Sequence, residues 1–269
     1  MLEVIDKGCL SEFHPAPLLF VHGGEHAAWC WDENFLDYFA ALSHRAVALS
    51  LRGHGKSSNS AQPQSCSIAD FVSDVCAVAD SLPHTPVLIG HSLGGFVVQK
   101  YLESYAAPAA VLIASAPPQG AGAAMLRTAA SFLHKTTRHP WRTAKAALAD
   151  RSTPAFNKPE RVRAAYFTPR TPDSLVVNCA ERLEKEQIGR FALDMAFLNL
   201  PKPDRVNTPM LVLGAQCDRS VTPREVRATA RAYQTQAQIF PGMGHDMMLE
   251  PGWTAVAERI DDWLCARGL

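Results

Sequence analysis

The chain has 269 residues, of which 47% are hydrophobic and 19% charged, with 26 Lys and Arg balanced by 26 Asp and Glu. That length suits one large α/β domain carrying an inserted subdomain, or two ordinary domains, and the neutral balance points to neither a nucleic acid nor an anionic membrane as partner. No apolar run approaches the roughly 18 to 20 residues that a membrane span needs.

The opening Met1-Leu2-Glu3-Val4-Ile5-Asp6-Lys7 lacks a basic segment followed by an apolar one, so no signal peptide is expected and a cytoplasmic location is the default. Seven cysteines are scattered with no C-x-x-C pair, which predicts reduced, mostly buried thiols. Neither the cysteines nor the histidines show metal-ligand spacing, so no metal and no cofactor are expected.

Leu18 to Val21 is an apolar run closed by His22-Gly23-Gly24, the pattern of a buried strand and a glycine turn. Trp29, Trp31, Phe35, Leu36 and Phe39 follow at helical spacing. Ala46 to Leu51 reads as the next strand, closed by Arg52-Gly53-His54-Gly55. Ile68, Phe71, Val72, Val75, Val78 and Ala79 mark an amphipathic helix with Ser67 as its N-cap. Val87-Leu88-Ile89 is another buried strand. It runs into Gly90-His91-Ser92-Leu93-Gly94, which fits G-x-S-x-G, and then into Phe96, Val97, Val98, Tyr101 and Leu102 at helical spacing. The expected result is a sharp strand-to-helix turn that lifts the Ser92 hydroxyl above the sheet.

Ala110 to Ala114 is the next strand, and after Pro117-Pro118 the rhythm breaks. Residues 119–205 show helical patterns, several prolines and no convincing strand. Strand and helix then resume at Pro209 to Leu213, Pro223 to Ala232 and Ala237 to Phe240, with a last helix from Trp253 to Leu264. Alternating, wholly apolar strands and helices predict an α/β fold, a mainly parallel sheet covered on both faces. Residues 1–118 and 206–269 form its core, and 119–205 a helical cap insertion. Between residues 119 and 170 the insertion carries ten Lys or Arg against Asp150 and Glu160. A solvated helical surface is the plain reading; a cap that favours acidic substrates or a phosphorylated carrier is the sharper one.

A serine hydroxyl needs a base, and the base needs an orienting acid. His245 follows the last strand, where strand C-termini line the ligand crevice of such sheets, so it is the favoured base. His22 and His54 sit among glycines and read as turn residues, while His91, beside Ser92 in a tight turn, points elsewhere. Asp218, just beyond the Pro209 to Leu213 strand, is the favoured acid. Asp246, Asp194 and Glu250 read as solvated or local structural acids. The order Ser92, Asp218, His245 suits this topology. Oxyanion donors are expected at the backbone N–H groups of Leu93 and Gly24.

His22-Gly23-Gly24, Arg52-Gly53-His54-Gly55-Lys56-Ser57, Gly90 to Gly94, Asp218 and Gly244-His245-Asp246 together resemble the α/β-hydrolase superfamily, in particular its small bacterial esterases, lysophospholipases and monoacylglycerol lipases. The resemblance implies the α/β-hydrolase fold with Ser92 as nucleophile, His245 as base, Asp218 as orienter, and Gly24 and Leu93 as oxyanion donors. Ser50 stands where relatives are often acidic. The segment before Leu18 is short, so the family's N-terminal antiparallel strands are expected to be abbreviated.

The function expected is hydrolysis of a small-molecule carboxylic ester through an acyl-enzyme. Trp29, Trp31, Met125, Phe132, Met243 and Met247 are the candidate acyl-pocket residues. The alternatives are a thioesterase or carbon–carbon bond hydrolase with the same triad, or a ligand-binding relative without turnover.

Overall fold

The computed structural model describes residues 1–57, 66–120, 122, 158–184 and 189–269. Seven strands form one sheet in the order β1-β3-β2-β4-β5-β6-β7. They are β1 (Val4–Lys7), β2 (Leu18–Val21), β3 (Ala46–Leu49), β4 (Val87–His91), β5 (Ala110–Ile113), β6 (Met210–Ala215) and β7 (Ala237–Phe240). All neighbours are parallel except β1, which runs antiparallel to β3. One antiparallel strand, β1, thus precedes β2 among the described residues.

The period-two alternation of side chains sends each strand into two separate cores. Leu18, Phe20, Ala46, Ala48, Val87, Ile89, Val111 and Ile113 face one way, packing with α1 (Trp29–Asp32), α2 (Phe35–Ala41) and α9 (Trp253–Cys265). Leu19, Val21, Val47, Leu49, Leu88, Ala110 and Leu112 face the other, packing with α3 (Ile68–Ser81), α4 (Leu93–Tyr101) and α8 (Pro223–Ala232). Continuous apolar runs in the sequence are thus strands buried on both sides.

Local chemistry sets the helix starts. Ser67 and Asp70 form a reciprocal capping box on α3, and Thr222 and Glu225 form another on α8. The single aromatic helix expected after Trp29 is split in two. Asn34 leaves helical geometry between α1 and α2, and its amide donates to the Met248 carbonyl at 3.0 Å. Trp31 still stacks within the core, 5.1 Å from Phe20 and 5.4 Å from Phe35 between ring centres.

Between β5 and β6 the described residues hold α5 (Pro159–Tyr166), α6 (Asp173–Arg182), α7 (Arg190–Leu193) and a π-helical turn, with no strand among them. No helix of the described residues is long and apolar enough to cross a membrane. Of the seven cysteines only Cys30, Cys66 and Cys179 are buried, while Cys9, Cys217 and Cys265 are exposed; the expectation of mostly buried thiols is corrected.

The junction of β4 and α4 is backbone packed on backbone. A Cβ on Gly90 would lie 2.7 Å from the Gly94 carbonyl oxygen and the Gly95 nitrogen, and one on Gly94 would lie 2.3 Å from the Val21 carbonyl oxygen. Gly94→Ala must therefore push α4 away from the end of β2, an overpacking that we expect to destabilise the fold by about 1–3 kcal/mol. Urea unfolding measures it; an unchanged midpoint would show that the two elements separate freely.

Candidate active site

Ser92 sits between the last residue of β4 and the first of α4 with φ 51° and ψ −113°, a left-handed backbone that a non-glycine residue adopts only under constraint. Its amide donates to the Ile113 carbonyl at 3.1 Å, and its own carbonyl accepts from Phe96 at 3.2 Å and Ala116 at 3.1 Å. The elbow is thereby pinned by β5 and the first turn of α4. Gly23 lies against it, since a Cβ there would come within 3.1 Å of the Ser92 Cβ and 2.8 Å of the His91 Nδ1.

The loops after β6 and β7 are laced together. Gln216 N–H donates to the Phe240 carbonyl and Cys217 N–H to the Met243 carbonyl, both at 2.9 Å. This brings Asp218 beneath His245. Asp218 Oδ1 accepts from the amides of Ser220 (2.7 Å) and Val221 (2.9 Å), and its Oδ2 accepts from His245 Nδ1 at 2.7 Å. With Nδ1 carrying the proton, Nε2 of a neutral His245 keeps its lone pair. Burial alone would depress the imidazolium, but the charge of Asp218 and its hydrogen bond outweigh it and hold the His245 pKa above the ordinary 6.5.

The histidines read as turn residues behave as such. His22 donates from Nδ1 to the Gly23 carbonyl (2.7 Å) and accepts at Nε2 from the Leu51 amide (3.0 Å). His54 Nδ1 lies 3.2 Å from the Arg52 carbonyl. His91 turns away from Ser92 and donates from Nε2 to the His245 carbonyl at 3.1 Å, so the elbow holds the histidine loop directly. Burial, then the charge of His245, lowers the His91 pKa to about 3, which keeps it neutral. Ser50, in place of an acid, donates to Glu3 and accepts from the Ala28 amide.

Asp246 corrects the sequence reading. It is fully buried and carries its own histidine, His26, whose Nε2 lies 3.0 Å from Asp246 Oδ2 while Nδ1 lies 2.8 Å from the Gly24 carbonyl. The signal was present in sequence: Asp246 is followed by Met247-Met248-Leu249, and His26 by Ala27-Ala28-Trp29, apolar runs that bury their neighbours. Asp194 and Glu250 are also buried but are structural. Asp194 accepts from the first amide of α3, at Ile68 (3.1 Å). Glu250 accepts from Gly244 N–H (3.0 Å), Thr168 N–H (2.9 Å) and the Thr171 hydroxyl (2.6 Å), tying the segment between α5 and α6 to the His245 loop.

Trp29 is half-buried, stacked on His26 at 5.5 Å and covered by the Arg182 guanidinium at 4.3 Å. Trp31, Met243 and Met247 are buried in the core beside it. Met125 and Phe132 lie outside the described residues, as do the basic residues 127, 135, 138, 142, 145 and 151. Of the basic residues that are described, Arg163 is engaged with the Thr168 and Thr171 carbonyls and with Asp173. Among the described residues, two sets of side chains come close enough to converge on an ion: His26, Cys179 and Asp246, and His91, His245 and Asp246. In both, the histidines already have hydrogen-bond partners, and burial raises the Cys179 pKa and keeps its thiol protonated.

The model of the alpha/beta hydrolase family matches residues 18–258, and the chain belongs to that family. Similar curated proteins include a non-heme chloroperoxidase of Burkholderia pyrrocinia, 32% identical over 108 residues that make up 38% of each chain. Protein phosphatase methylesterase 1 of Mus musculus is 40% identical over 83 residues, 30% of this chain and 22% of that one. The matches thus span well under half the length of these relatives. Among solved structures, a thermophilic esterase from Thermogutta terrifontis superposes with a TM-score of 0.75 at 23% identity, covering 100% of this chain and 94% of its own. A Paleococcus ferrophilus monoacylglycerol lipase gives 0.71 at 21% identity over 99% of both chains. At these identities the likeness establishes the fold, and family membership supports hydrolase activity.

The raised His245 pKa has a definite sign. The folded form holds the proton more tightly than the unfolded chain, so the pair's contribution to stability is full below about 6.5 and is lost as pH rises through the folded value. An NMR titration of the His245 ring should give a midpoint above 6.5, and Asp218→Asn should lower it. A midpoint unmoved by the substitution would show that Asp218 does not set the charge of this ring.

Proposed function

We propose that this chain is a serine hydrolase of carboxylic esters working through an acyl-enzyme. The observation that carries the reading is a buried acid–histidine pair, Asp218 with His245, whose loop is held by the neighbour of a left-handed Ser92 at a helix N-terminus. Ser92 Oγ attacks the acyl carbonyl as His245 Nε2 takes its proton, and Asp218 stabilises the imidazolium that forms. The tetrahedral oxyanion is received by the backbone N–H groups of Gly24 and Leu93. Leu93 supplies its group from the open first turn of α4. His245 returns the proton to the leaving group, and water, activated by the same ring, releases the acid.

The helical insertion serves as the cap, and Trp29 as one wall of the acyl pocket. Support for the cap lies in its anchors, since Tyr166, Thr168, Thr171 and Glu184 all bond to the loops that carry His245 and Glu25.

Hydrolysis of p-nitrophenyl esters from C2 to C12, set beside matched thioesters, tests the reading. Oxygen esters should turn over with an acid limb above pH 6.5, because the base must be neutral. Ser92→Ala should lower kcat by ~10⁴-fold or more and abolish labelling by a fluorophosphonate. Turnover confined to thioesters would move the assignment to a thioesterase, and a silent, unlabelled Ser92 would leave a binding protein.

A further inference from the structure

The Gly24 turn is held by an unusual amount of chemistry for so short a segment. Glu25 has φ 67°, a left-handed backbone. Its carbonyl accepts from the Glu184 amide at 2.8 Å, and its carboxylate accepts from the Tyr166 hydroxyl. The Gly24 carbonyl, in the peptide plane between Gly24 and Glu25, accepts from His26 Nδ1 at 2.8 Å. The same ring meets Asp246 Oδ2 through Nε2 at 3.0 Å.

Both partners of this ring are acceptors. A carbonyl oxygen has no proton to give, and Asp246, held below the usual carboxylate range by the charge and hydrogen bond of His26 against its burial, is ionised and has none either, so each ring nitrogen carries its own. His26 is therefore an imidazolium, sealed at 1% exposure beside a carboxylate at 0%. An isolated buried charge would be lost to neutralisation, but here the ring is bonded at both nitrogens, and of the two Asp246 oxygens Oδ2 takes the ring while Oδ1, among the described residues, has only His91 Nε2 at 3.9 Å. Around the ring stand Glu25 from the same loop, His91 at the end of β4, Tyr166 of α5 and Cys179 of α6. Burial of His26 opposes its charge, and Asp246, by charge and hydrogen bond, overrides it.

We propose that the His26–Asp246 ion pair is a positioning device for the oxyanion turn, fixing the Gly24–Glu25 peptide plane from the residue adjacent to His245. Because a trans peptide is planar, holding the Gly24 carbonyl fixes the backbone on the C-terminal side of the Gly24 N–H that faces the substrate oxygen. Asp246 follows His245 directly, so one short loop supplies both the base and the anchor of the oxyanion donor. Base and donor then share one frame, and neither shifts relative to the other when substrate binds.

This inference rests on the serine-hydrolase reading for its catalytic part only. Three measurements test it. Ring ¹⁵N spectra of histidine-labelled protein should show both His26 nitrogens protonated at pH 7, and one bare nitrogen in Asp246→Asn; a neutral His26 in the wild type overturns the proposal whatever the variants do. On p-nitrophenyl acetate, Asp246→Asn should lower kcat at least ~10-fold with KM nearly unchanged, the pattern of a transition-state interaction weakened. The inhibition constant of an alkyl trifluoromethyl ketone, which forms an oxyanion on Ser92, should weaken by the same factor. Loss of kcat with undiminished ketone affinity would place the role of the pair elsewhere. His26→Asn should have a similar effect, and the double variant should be no worse than either single one, as expected of two residues acting as one unit. A wild type that hydrolyses no ester and takes no fluorophosphonate overturns the hydrolase reading, while the His26 spectrum still decides whether the ion pair exists.

Discussion

Backbone-to-backbone contact at the β4–α4 junction is the constraint from which the rest of the site follows. With no Cβ on Gly90 or Gly94, the first turn of α4 comes down onto the carbonyls that end β2. That approach turns the chain sharply enough to put Ser92 in a left-handed backbone, and hydrogen bonds from β5 and α4 hold it there. It also brings the His22-Gly23-Gly24 turn, which leaves β2, alongside the serine. A helix N-terminus and a glycine turn thus meet at one point because two side chains are missing. The local strain is offset by the double core on either side of the sheet.

Burial at this edge collects histidines, and the fold treats them in two ways. His22 and His91 each bond to backbone, with Asp246 Oδ1 no nearer than 3.9 Å to His91 Nε2, and burial leaves both rings neutral, useful as fixed donors and acceptors. His245 and His26 each have a carboxylate, Asp218 and Asp246, and each is held toward its charged form. Asp246 is itself drawn down by His26 despite complete burial. Charge is placed by partner choice and not by exposure, since all five groups just named beside Asp218 are nearly sealed from solvent.

The strand runs, their closing glycines and the G-x-S-x-G turn made the sheet legible from sequence, because a strand buried on both faces has no polar alternation to obscure it. Ser92, Asp218 and His245 could be placed for the same reason: each follows such a strand at the same edge. The 2.7 Å contact of His245 Nδ1 with Asp218 Oδ2 joins the loops that follow two of these strands. Sequence left Asp246 open as a solvated or a local structural acid; burial excludes the first, and the partner that settles its role lies 220 positions away. No periodicity reports a contact of that range. The split of the Trp29–Phe39 helix was hidden too, since its cause is the Met248 carbonyl, a tertiary partner.

Glu250 and Tyr166 give the insertion a meaning for how such proteins diversify. Glu250 binds Thr168 and Thr171 on one side and Gly244 on the other, and the Tyr166 carbonyl takes the Asp246 amide at 3.1 Å. The segment after α5 is therefore a structural wall of the loop that carries His245. A cap transplanted from a relative would have to bring an acceptor for the Asp246 N–H and donors for Glu250, or leave a buried carboxylate short of partners. Exchange of substrate range by swapping this insertion is accordingly restricted to the part before α5, and the junction at its C-terminal end travels with the hydrolase core.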